Sequence, residues 1–359
     1  MANEKPIRVL TLDGGGMRGL YTAVVLHTMM KRFADSSDAS DLDIGKAFDL
    51  IVGTSTGGIL ACALAAGVPT GRIIELYSKY GSKIFSNPIP KKKRSLAFWI
   101  PRNCLRSANR NEVLNQQLNA IFKDETVKGV YERRGIALCI PAVNMATHAA
   151  WVFKTSHNPG KHRDDKYLLS DVCLATSAAP IYLPLVSIQN PDVPTATTTF
   201  ADGGLWANNP IMIGLVEALG MSEASRPIEV LSIGTCAPPA GKVTTGTELN
   251  VGLLGWQAGV KPLELSIDAQ ATGYSFMAGF LAKELTKLGR KCTILRIPPT
   301  SPSAEHMEFM GLDRACEKSV QVLSQLGSHD GSLAHGKAHS GGDADYQMLK
   351  RIFESMPKL

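Results

Sequence analysis

A serine flanked by glycines is the residue of this sequence best placed to do covalent chemistry. Gly53-Thr54-Ser55-Thr56-Gly57 fits G-x-S-x-G, in which a serine hydroxyl projects from a sharp strand-to-helix turn. The pattern needs Gly53 and Gly57 because larger side chains would collide in such a strained turn. A Gly/Ser/Thr turn in which Ser55 only caps a helix is the alternative. Because an apolar strand precedes the motif and an alanine-rich helix follows it, we predict that Ser55 is a nucleophile.

A second glycine-rich segment offers hydrogen-bond donors for such a reaction. Attack of a serine on an ester produces an oxyanion, which needs preorganised donors. The loop Gly14-Gly15-Gly16-Met17-Arg18-Gly19 follows a strand, and its backbone N–H groups can supply them. We predict an oxyanion hole formed by Gly14, Gly15, Gly16, Arg18 and Gly19. The N–H groups of Gly15, Gly16 and Thr56 would lie nearest the charge, and Arg18 would add positive charge or hold the loop.

The same loop also satisfies a dinucleotide-binding pattern, through Gly14, Gly16 and Gly19. In that interpretation the chain would be a nucleotide-binding regulator without enzymatic activity. The pattern requires an acidic residue at the end of the next strand, but here that strand runs into the serine turn. The hydrolase interpretation is therefore favoured.

Asp202-Gly203-Gly204 follows a short strand and supplies a candidate acid. By itself, an aspartate before two glycines is typical of a turn. Together, however, the three segments resemble the patatin-like phospholipases. That family has a glycine-rich oxyanion loop, a G-x-S-x-G nucleophile and a D-G-[AG] acid motif, in this order along the chain. The resemblance runs from about Ile7 to Gly234 and includes Ala175-Thr176-Ser177-Ala178-Ala179-Pro180.

The resemblance implies a catalytic dyad in which Asp202 takes the proton of Ser55 directly. A carboxylate is a poor base for a serine unless desolvation raises its pKa, so we expect Asp202 to be poorly hydrated and close to Ser55. The alternative is a triad esterase or thioesterase acting on soluble acyl substrates. Its histidine would follow the acid in the chain, and the candidates are His306, His329, His335 and His339.

The elements that must position these residues alternate between strand and helix along the whole chain. Apolar, β-branched runs such as Ile7–Leu12 predict buried strands, and each is followed by a helical pattern. This alternation predicts a three-layer α/β/α sandwich with a mainly parallel sheet, which the resemblance would make patatin-like. We predict one domain over residues 1–359, with a core at about 7–234 and a C-terminal part, 235–359, that completes the sheet. The polar tract from His329 to Gly342 is expected to be mobile.

The cysteine pattern and the absence of a signal-peptide pattern predict a protein that stays inside the cell. The seven cysteines show no zinc-ligand spacing, so we expect reduced thiols and neither a metal nor a cofactor for the chemistry. No signal-peptide pattern and no apolar run of ~18 residues occur, so the sequence predicts a cytoplasmic protein that acts at the inner face of the membrane. The net charge of +6 is too scattered to predict a nucleic-acid polymer as partner.

Two further segments bear on partners. Lys91–Pro101 combines basic residues with Phe98 and Trp99, which suits contact with an anionic membrane, although a solvated loop with its aromatics in the core is as consistent. The segment from Lys154 to Val172 resembles bacterial patatin-like enzymes of antiviral defence operons, which a cyclic dinucleotide such as cGAMP activates. That resemblance implies a cyclic-dinucleotide activator and leaves open a homo-oligomer on activation. The side chains of His157, Lys161, His162 and Arg163 could contact its phosphates or form a solvated turn.

Overall fold

The computed structural model describes residues 5–35, 41–90, 93–222, 226–236, 245–252 and 255–359. In these residues the strands are β1 Ile7–Leu12, β2 Leu50–Gly53, β3 Ala137–Asn144, β4 Ala149–Lys154, β5 Val186–Gln189, β6 Thr197–Asp202, β7 Ile228–Ile233 and β8 Cys292–Ile297. The helices are α1 Gly19–Asp35, α2 Thr56–Ala66, α3 Thr70–Ile84, α4 Lys93–Asn103, α5 Glu112–Phe122, α6 Val127–Arg134, α7 Leu169–Thr176, α8 Gly204–Ala207, α9 Ile211–Gly220, α10 Val260–Lys287, α11 Ala304–Met307, α12 Glu317–Ser340 and α13 Ala344–Glu354.

All of these strands join one sheet, in the order β5-β6-β3-β2-β1-β7-β8, with β4 paired to β3. The central strands β3, β2, β1, β7 and β8 are parallel, whereas β4, β5 and β6 are antiparallel to their neighbours. Strands β1, β2 and β7 are buried on both faces, which explains their unbroken apolar sequences. The predicted α/β sandwich with a mainly parallel sheet is confirmed.

The pairing of β3 decides where the serine turn and the acid meet. Strand β4 pairs with one edge of β3 along Cys139–Asn144. Strands β2 and β6 therefore both pair with the other edge, β2 near the start of β3 and β6 near its end. Strand β2 ends opposite Cys139, and Asp202 at the end of β6 lies opposite Ala142 on the same edge. Asp202 therefore lies just beyond the end of β2, next to the turn that carries Ser55.

The C-terminal part of the chain adds to both the sheet and a helical layer. Strand β8 pairs with β7 along its whole length, and α12 packs against α1. The expectation of a mobile tract at His329–Gly342 was wrong, because α12 continues to Ser340. Its buried residues Gly331, Ala334 and Ala338 are small and helically spaced, and they let the helix lie close to α1.

Candidate active site

Ser55 lies on a sharp turn between β2 and α2. Its backbone has φ 54° and ψ −124°, a sparsely populated conformation that costs about 1–3 kcal/mol for a residue with a side chain. The two glycines of the motif are required by packing. A Cβ on Gly53 would collide with the carbonyl oxygen of Gly57, and a Cβ on Gly57 would collide with the carbonyl oxygen of Leu12. The turn is thus clamped against the end of β1, and the Ser55 N–H donates to Thr176 Oγ1 at 2.9 Å.

Asp202 lies beside the serine. Ser55 Oγ donates to Asp202 Oδ2 at 2.7 Å, and the backbone N–H of Gly204 donates to Asp202 Oδ1 at 2.6 Å. Both glycines of the acid motif serve this arrangement: a Cβ on Gly203 would strike the carbonyl oxygen of Pro141, and a Cβ on Gly204 would crowd the carboxylate itself. The predicted nucleophile and acid are therefore brought into direct contact.

The environment of Asp202 makes its carboxylate more basic. Burial raises the pKa of Asp202 from 3.8 to about 7, although the hydrogen bonds from Gly204 and Ser55 act in the opposite direction. A carboxyl with such a pKa is matched to proton transfer near neutral pH. The expectation that the acid is poorly hydrated and close to the serine agrees with this geometry.

The glycine loop lies on the other side of Ser55. Gly15 and Gly16 line the cavity that holds Ser55 and Asp202. The N–H of Gly14 is occupied by the carbonyl oxygen of Asn208 at 2.9 Å, that of Arg18 by Gly15 O at 3.0 Å, and that of Gly19 by Gly16 and Met17. Within the described residues, the hydrogen bonds leave the N–H groups of Gly15 and Gly16 without an acceptor. The N–H groups of Gly14, Arg18 and Gly19 therefore hold the shape of the loop. Of the glycine residues in the loop, Gly15 and Gly16 keep an N–H group that is available to an oxyanion.

The side chain of Arg18 is held inside the protein. The residue is only 7% exposed, and its Nε has no hydrogen-bond partner among the described residues. Burial raises the pKa of Asp13 and of Asp268; the charge of Arg18 opposes this rise at both, and Arg296 opposes it more strongly at Asp13. The guanidinium of Arg18 thus lies inside the protein close to these carboxyls, and its role in the oxyanion hole stays a prediction.

Three supporting contacts were not predicted from the sequence. Thr176 Oγ1 accepts from the Ser55 N–H and donates to Pro141 O at 2.6 Å, so it ties the serine turn to β3. Asn208 Nδ2 donates to Gly14 O at 3.1 Å, and the guanidinium of Arg296 pairs with Asp13 at the start of the loop. The asparagine pair Asn208-Asn209, shortly after the acid motif, was a readable signal, whereas Arg296 lies 283 positions from its partner.

The cavity above the dyad is apolar. Its walls include Ile59, Tyr77, Phe85, Leu183, Leu263 and Ile267. Ser55 and Asp202 are among the few polar residues of its lining, with Thr56, Ser177 and Asn208. A fatty acyl chain fits such a lining because it offers apolar surface to bury.

The histidines needed for a triad lie elsewhere. Among the described residues that line the cavity there is no histidine, and the carboxylate of Asp202 is shared by Ser55 and Gly204 alone. His335 and His339 lie on α12, against the ring of Phe33. The geometry thus favours a dyad over a triad.

Within the described parts of the chain, the fold brings together one cluster of residues of the types that bind metals, from positions far apart in sequence. The ligand atoms of Cys139, His157 and Glu217 lie within 4.8 Å of one another. Burial by itself would raise the pKa of Glu217, but hydrogen bonds from His157 and Lys154, and the charge of Lys154, lower it to about 2. With Asn158 Nδ2 also donating to Glu217 at 2.6 Å, the carboxylate is already fully engaged.

The other residues considered for phosphate contact are likewise engaged. His157 Nε2 lies 3.2 Å from Glu217 Oε1, and His162 Nδ1 lies 3.1 Å from Asp165 Oδ2. The guanidinium of Arg163 stacks on Trp151, 3.7 Å from the ring centroid, and pairs with Asp164. Lys161 is the exception: it is exposed and lines a separate surface cavity together with His162 and Arg163.

The segment Lys91–Pro101 divides its aromatic residues between surface and interior. Lys91 and Lys92 lie outside the described residues, and α4 begins at Lys93. Leu96 is buried, Trp99 donates to Asn87 Oδ1 at 3.1 Å, and Phe98 is 74% exposed. In the described part of the chain, no helix combines the length and apolar character that crossing a bilayer requires.

A serine on a strained strand-to-helix turn, at the end of a parallel strand, is the arrangement of an acyl hydrolase. A family model described as patatin-like phospholipase matches residues 10–215. A cGAMP-activated phospholipase of Pseudomonas aeruginosa is 33% identical, over 91% of this chain and 89% of its own length. A second, from Vibrio cholerae, is 30% identical over 90% of each chain. The chain belongs to the patatin-like phospholipases, as the resemblance predicted.

Among solved structures, human GIVD cytosolic phospholipase A2 aligns with 97% of this chain and with 60% of its own chain, at 11% sequence identity and a TM-score of 0.44.

Proposed function

We propose that this phospholipase cleaves membrane phospholipid esters through a dyad of Ser55 and Asp202. The observation that carries the proposal is the 2.7 Å hydrogen bond from Ser55 Oγ to the buried carboxylate of Asp202. The pKa of about 7 lets this carboxylate accept the proton at neutral pH. The apolar cavity above it supplies space for an acyl chain.

The course of the reaction follows from the positions of these groups. Asp202 takes the proton of Ser55 Oγ while the oxygen attacks the ester carbonyl carbon, and the N–H groups of Gly15, Gly16 and Thr56 bind the oxyanion. When the intermediate collapses, the ester C–O bond breaks and the protonated Asp202 returns its proton to the leaving alcohol. Water activated by Asp202 then hydrolyses the acyl-enzyme and frees Ser55.

Two substitutions test the dyad. Ser55→Ala and Asp202→Asn should each reduce phospholipid hydrolysis by at least ~10³-fold, because each removes one partner of the only proton transfer. Circular dichroism should show that both variants keep the fold. Turnover near the wild-type level in either folded variant would exclude the dyad, and loss of activity in His306, His329, His335 or His339 variants would favour a triad instead.

We further propose that a cyclic dinucleotide switches the enzyme on. The relatives from Pseudomonas aeruginosa and Vibrio cholerae, which this chain matches over about nine tenths of its length, are both named cGAMP-activated phospholipases. A lipase that degrades the membrane of its own cell must be inactive by default, and an activator that favours one of two states provides this. Such a switch suits the role in antiviral defence that the sequence resemblance implies.

The switch is tested by hydrolysis of mixed phospholipid vesicles with and without a panel of cyclic dinucleotides. We expect at least tenfold activation by one member, with cGAMP the first candidate. Equal activity with and without every member would reject the switch but leave the dyad standing. Size-exclusion chromatography with and without the activator tests the predicted homo-oligomer.

We also propose that the enzyme is a single domain that works in the cytoplasm, at the inner face of the membrane. The pairing of β8 with β7 and the packing of α12 on α1 support one domain. Contact with the bilayer through Lys91–Pro101 is supported by the exposed Phe98 on α4.

A further inference from the structure

Helix α10 has two faces of opposite character. On its inner face, Leu263 and Ile267 line the catalytic cavity and the carboxylate of Glu264 accepts from the Tyr182 hydroxyl at 3.0 Å. Its outer face carries large apolar side chains that the rest of the described chain leaves uncovered. Phe276 is 75% exposed and Phe280 is 60% exposed.

These exposed side chains form one stripe. Leu265, Ala269, Thr272, Phe276 and Phe280 follow one another at intervals of three or four residues, so they lie along one side of the helix. Met277, beside Phe276, is 43% exposed. We call this stripe, Leu265–Phe280 with Met277, the outer face of α10. Its large apolar side chains cluster at Phe276, Met277 and Phe280, and clustered exposed apolar side chains mark an interaction site more often than scattered ones do.

The charges of the helix are sorted in the same way. Its three lysines, Lys261, Lys283 and Lys287, are all exposed and flank the stripe at both ends. Its acidic residues, Glu264, Asp268 and Glu284, are all partly buried, and Glu284 also pairs with Lys287. The outer face is thus apolar in the middle and positively charged at its ends, which complements an anionic lipid surface.

Between its two faces, the helix also contacts a residue at the edge of the catalytic cavity. Gln270, on the same helix, donates from Nε2 to the carbonyl oxygen of Leu205 at 3.1 Å. Leu205 lines the cavity and is 36% exposed, so it lies where the cavity opens.

We propose that the outer face of α10 is a membrane-docking surface for anionic phospholipid, with Phe276 and Phe280 inserted among the lipids and the flanking lysines on the headgroups. The inference rests on the proposed function only in taking a membrane as the source of substrate. A second copy of the chain fits this face less well. Since lysines stand at both ends of the stripe, parallel and antiparallel self-pairing would each set lysine against lysine.

The test compares two double variants of the full chain. Phe276→Ser/Phe280→Ser removes the inserted rings, whereas the control Val216→Ser/Leu333→Ser removes exposed apolar side chains of α9 and α12. Binding is measured by sedimentation with phosphatidylcholine vesicles that contain 30% phosphatidylglycerol. Hydrolysis is measured on the same vesicles and on the soluble ester p-nitrophenyl butyrate, with cGAMP present throughout.

We expect the α10 variant to bind the anionic vesicles at least tenfold more weakly and to hydrolyse them correspondingly more slowly, with unchanged turnover of the soluble ester. The control variant should match the wild type in all three assays. Vesicle binding within twofold of the wild type in the α10 variant, or equal loss in the control, would overturn the proposal. So would a wild-type dimer in light scattering that the α10 substitutions dissociate, since a second copy would then cover this face. A wild-type chain that hydrolyses neither substrate would instead count against the proposed function, because vesicle binding is measured independently of it.

Discussion

At the scale of single residues, the chemistry depends on one buried carboxylate. Asp202 has a neighbouring hydroxyl and a neighbouring peptide N–H, but burial outweighs both and raises its pKa to about 7. Histidine, with an ordinary pKa near 6.5, usually serves as the base for a serine. Desolvation brings the pKa of this aspartate close to that value, so the proposed dyad needs no imidazole.

The first prediction concerns the pH dependence of catalysis. The base must be ionised, so kcat/KM should fall about tenfold per pH unit below pH 7 and level off above it. The measurement is the pH profile of soluble-ester hydrolysis at saturating activator. A profile that stays flat from pH 5 to pH 8 would show that Asp202 is not the group that titrates.

The second prediction concerns stability. Because the pKa of Asp202 is higher in the folded chain, about 7, than its ordinary 3.8, the folded state holds its proton more tightly. The contribution of this carboxyl to stability is therefore greatest at low pH and is lost as the pH rises from about 4 to 7. Asp202→Asn stays neutral, so its stability relative to the wild type should rise across this window by up to ~4 kcal/mol. Urea unfolding at pH 5 and pH 8 measures this, and an equal difference at both pH values would contradict it.

At the scale of elements, close packing of α12 on α1 depends on two glycines. A Cβ on Gly327 would lie 2.8 Å from Tyr21 O, and a Cβ on Gly331 would lie 2.8 Å from Val25 O. Between them, Asp330 accepts from the Tyr21 hydroxyl at 2.6 Å and from the Thr300 N–H at 2.9 Å. A glycine- and histidine-rich tract that resembles a loop in sequence is thereby held as a helix by tertiary contacts.

The third prediction uses two glycines of this helix. Gly331→Ala should lower the free energy of unfolding by about 1–3 kcal/mol, because its Cβ overpacks the contact with α1. Gly336→Ala is the matched control: nothing lies within 4 Å of its Cβ position, so alanine should stabilise the helix by about 0.5–1 kcal/mol. Thermal unfolding of both variants decides, and the same sign of change in both would show that α12 does not pack closely on α1.

At the scale of the whole molecule, an ion pair is one of the contacts that connect the C-terminal part to the catalytic loop. Arg296, on β8, pairs with Asp13 and donates to Ser232 Oγ at 2.7 Å. Asp13 is almost fully buried and directly precedes the glycine loop. The position of the oxyanion donors thus depends on a strand that enters the sheet nearly 300 residues later in the chain.

The fourth prediction tests this connection. Arg296→Met leaves a buried carboxylate without its partner and should destabilise the protein by about 3–5 kcal/mol. Ester hydrolysis should also fall, because the glycine loop loses its anchor. The double variant Asp13→Asn/Arg296→Met carries no unpaired charge and should recover much of the stability. A double variant no more stable than the single one would show that the ion pair does not hold the loop.

The fifth prediction concerns the basic end of α4. Replacing Lys91, Lys92 and Lys93 by glutamate should weaken binding to anionic vesicles, because each lysine near a membrane surface contributes about 1 kcal/mol. The dependence of vesicle binding on salt concentration should weaken in parallel. Unchanged binding would show that this segment does not contribute to membrane contact. The proposal for the outer face of α10 would then depend on its own test.

Most of the chemistry could be predicted from the sequence. The serine turn, the glycine loop and the acid motif are local patterns, because strained turns restrict which residues fit there. The strand-and-helix alternation likewise predicted the mainly parallel sheet. By contrast, the edge strand β5 and the helical course of α12 beyond His329 were missed, since both are stabilised by packing against distant elements.

The sequence by itself determined which groups are available for the reaction: one hydroxyl on a glycine-flanked turn, one aspartate before two glycines and a loop of peptide donors. Only the tertiary structure decided that Ser55 and Asp202, separated by 147 positions, lie 2.7 Å apart. The reason is the pairing of the strands, because β2 and β6 share one edge of β3. Burial at that junction, which no local pattern encodes, also raises the pKa of the aspartate far enough for it to act as a base.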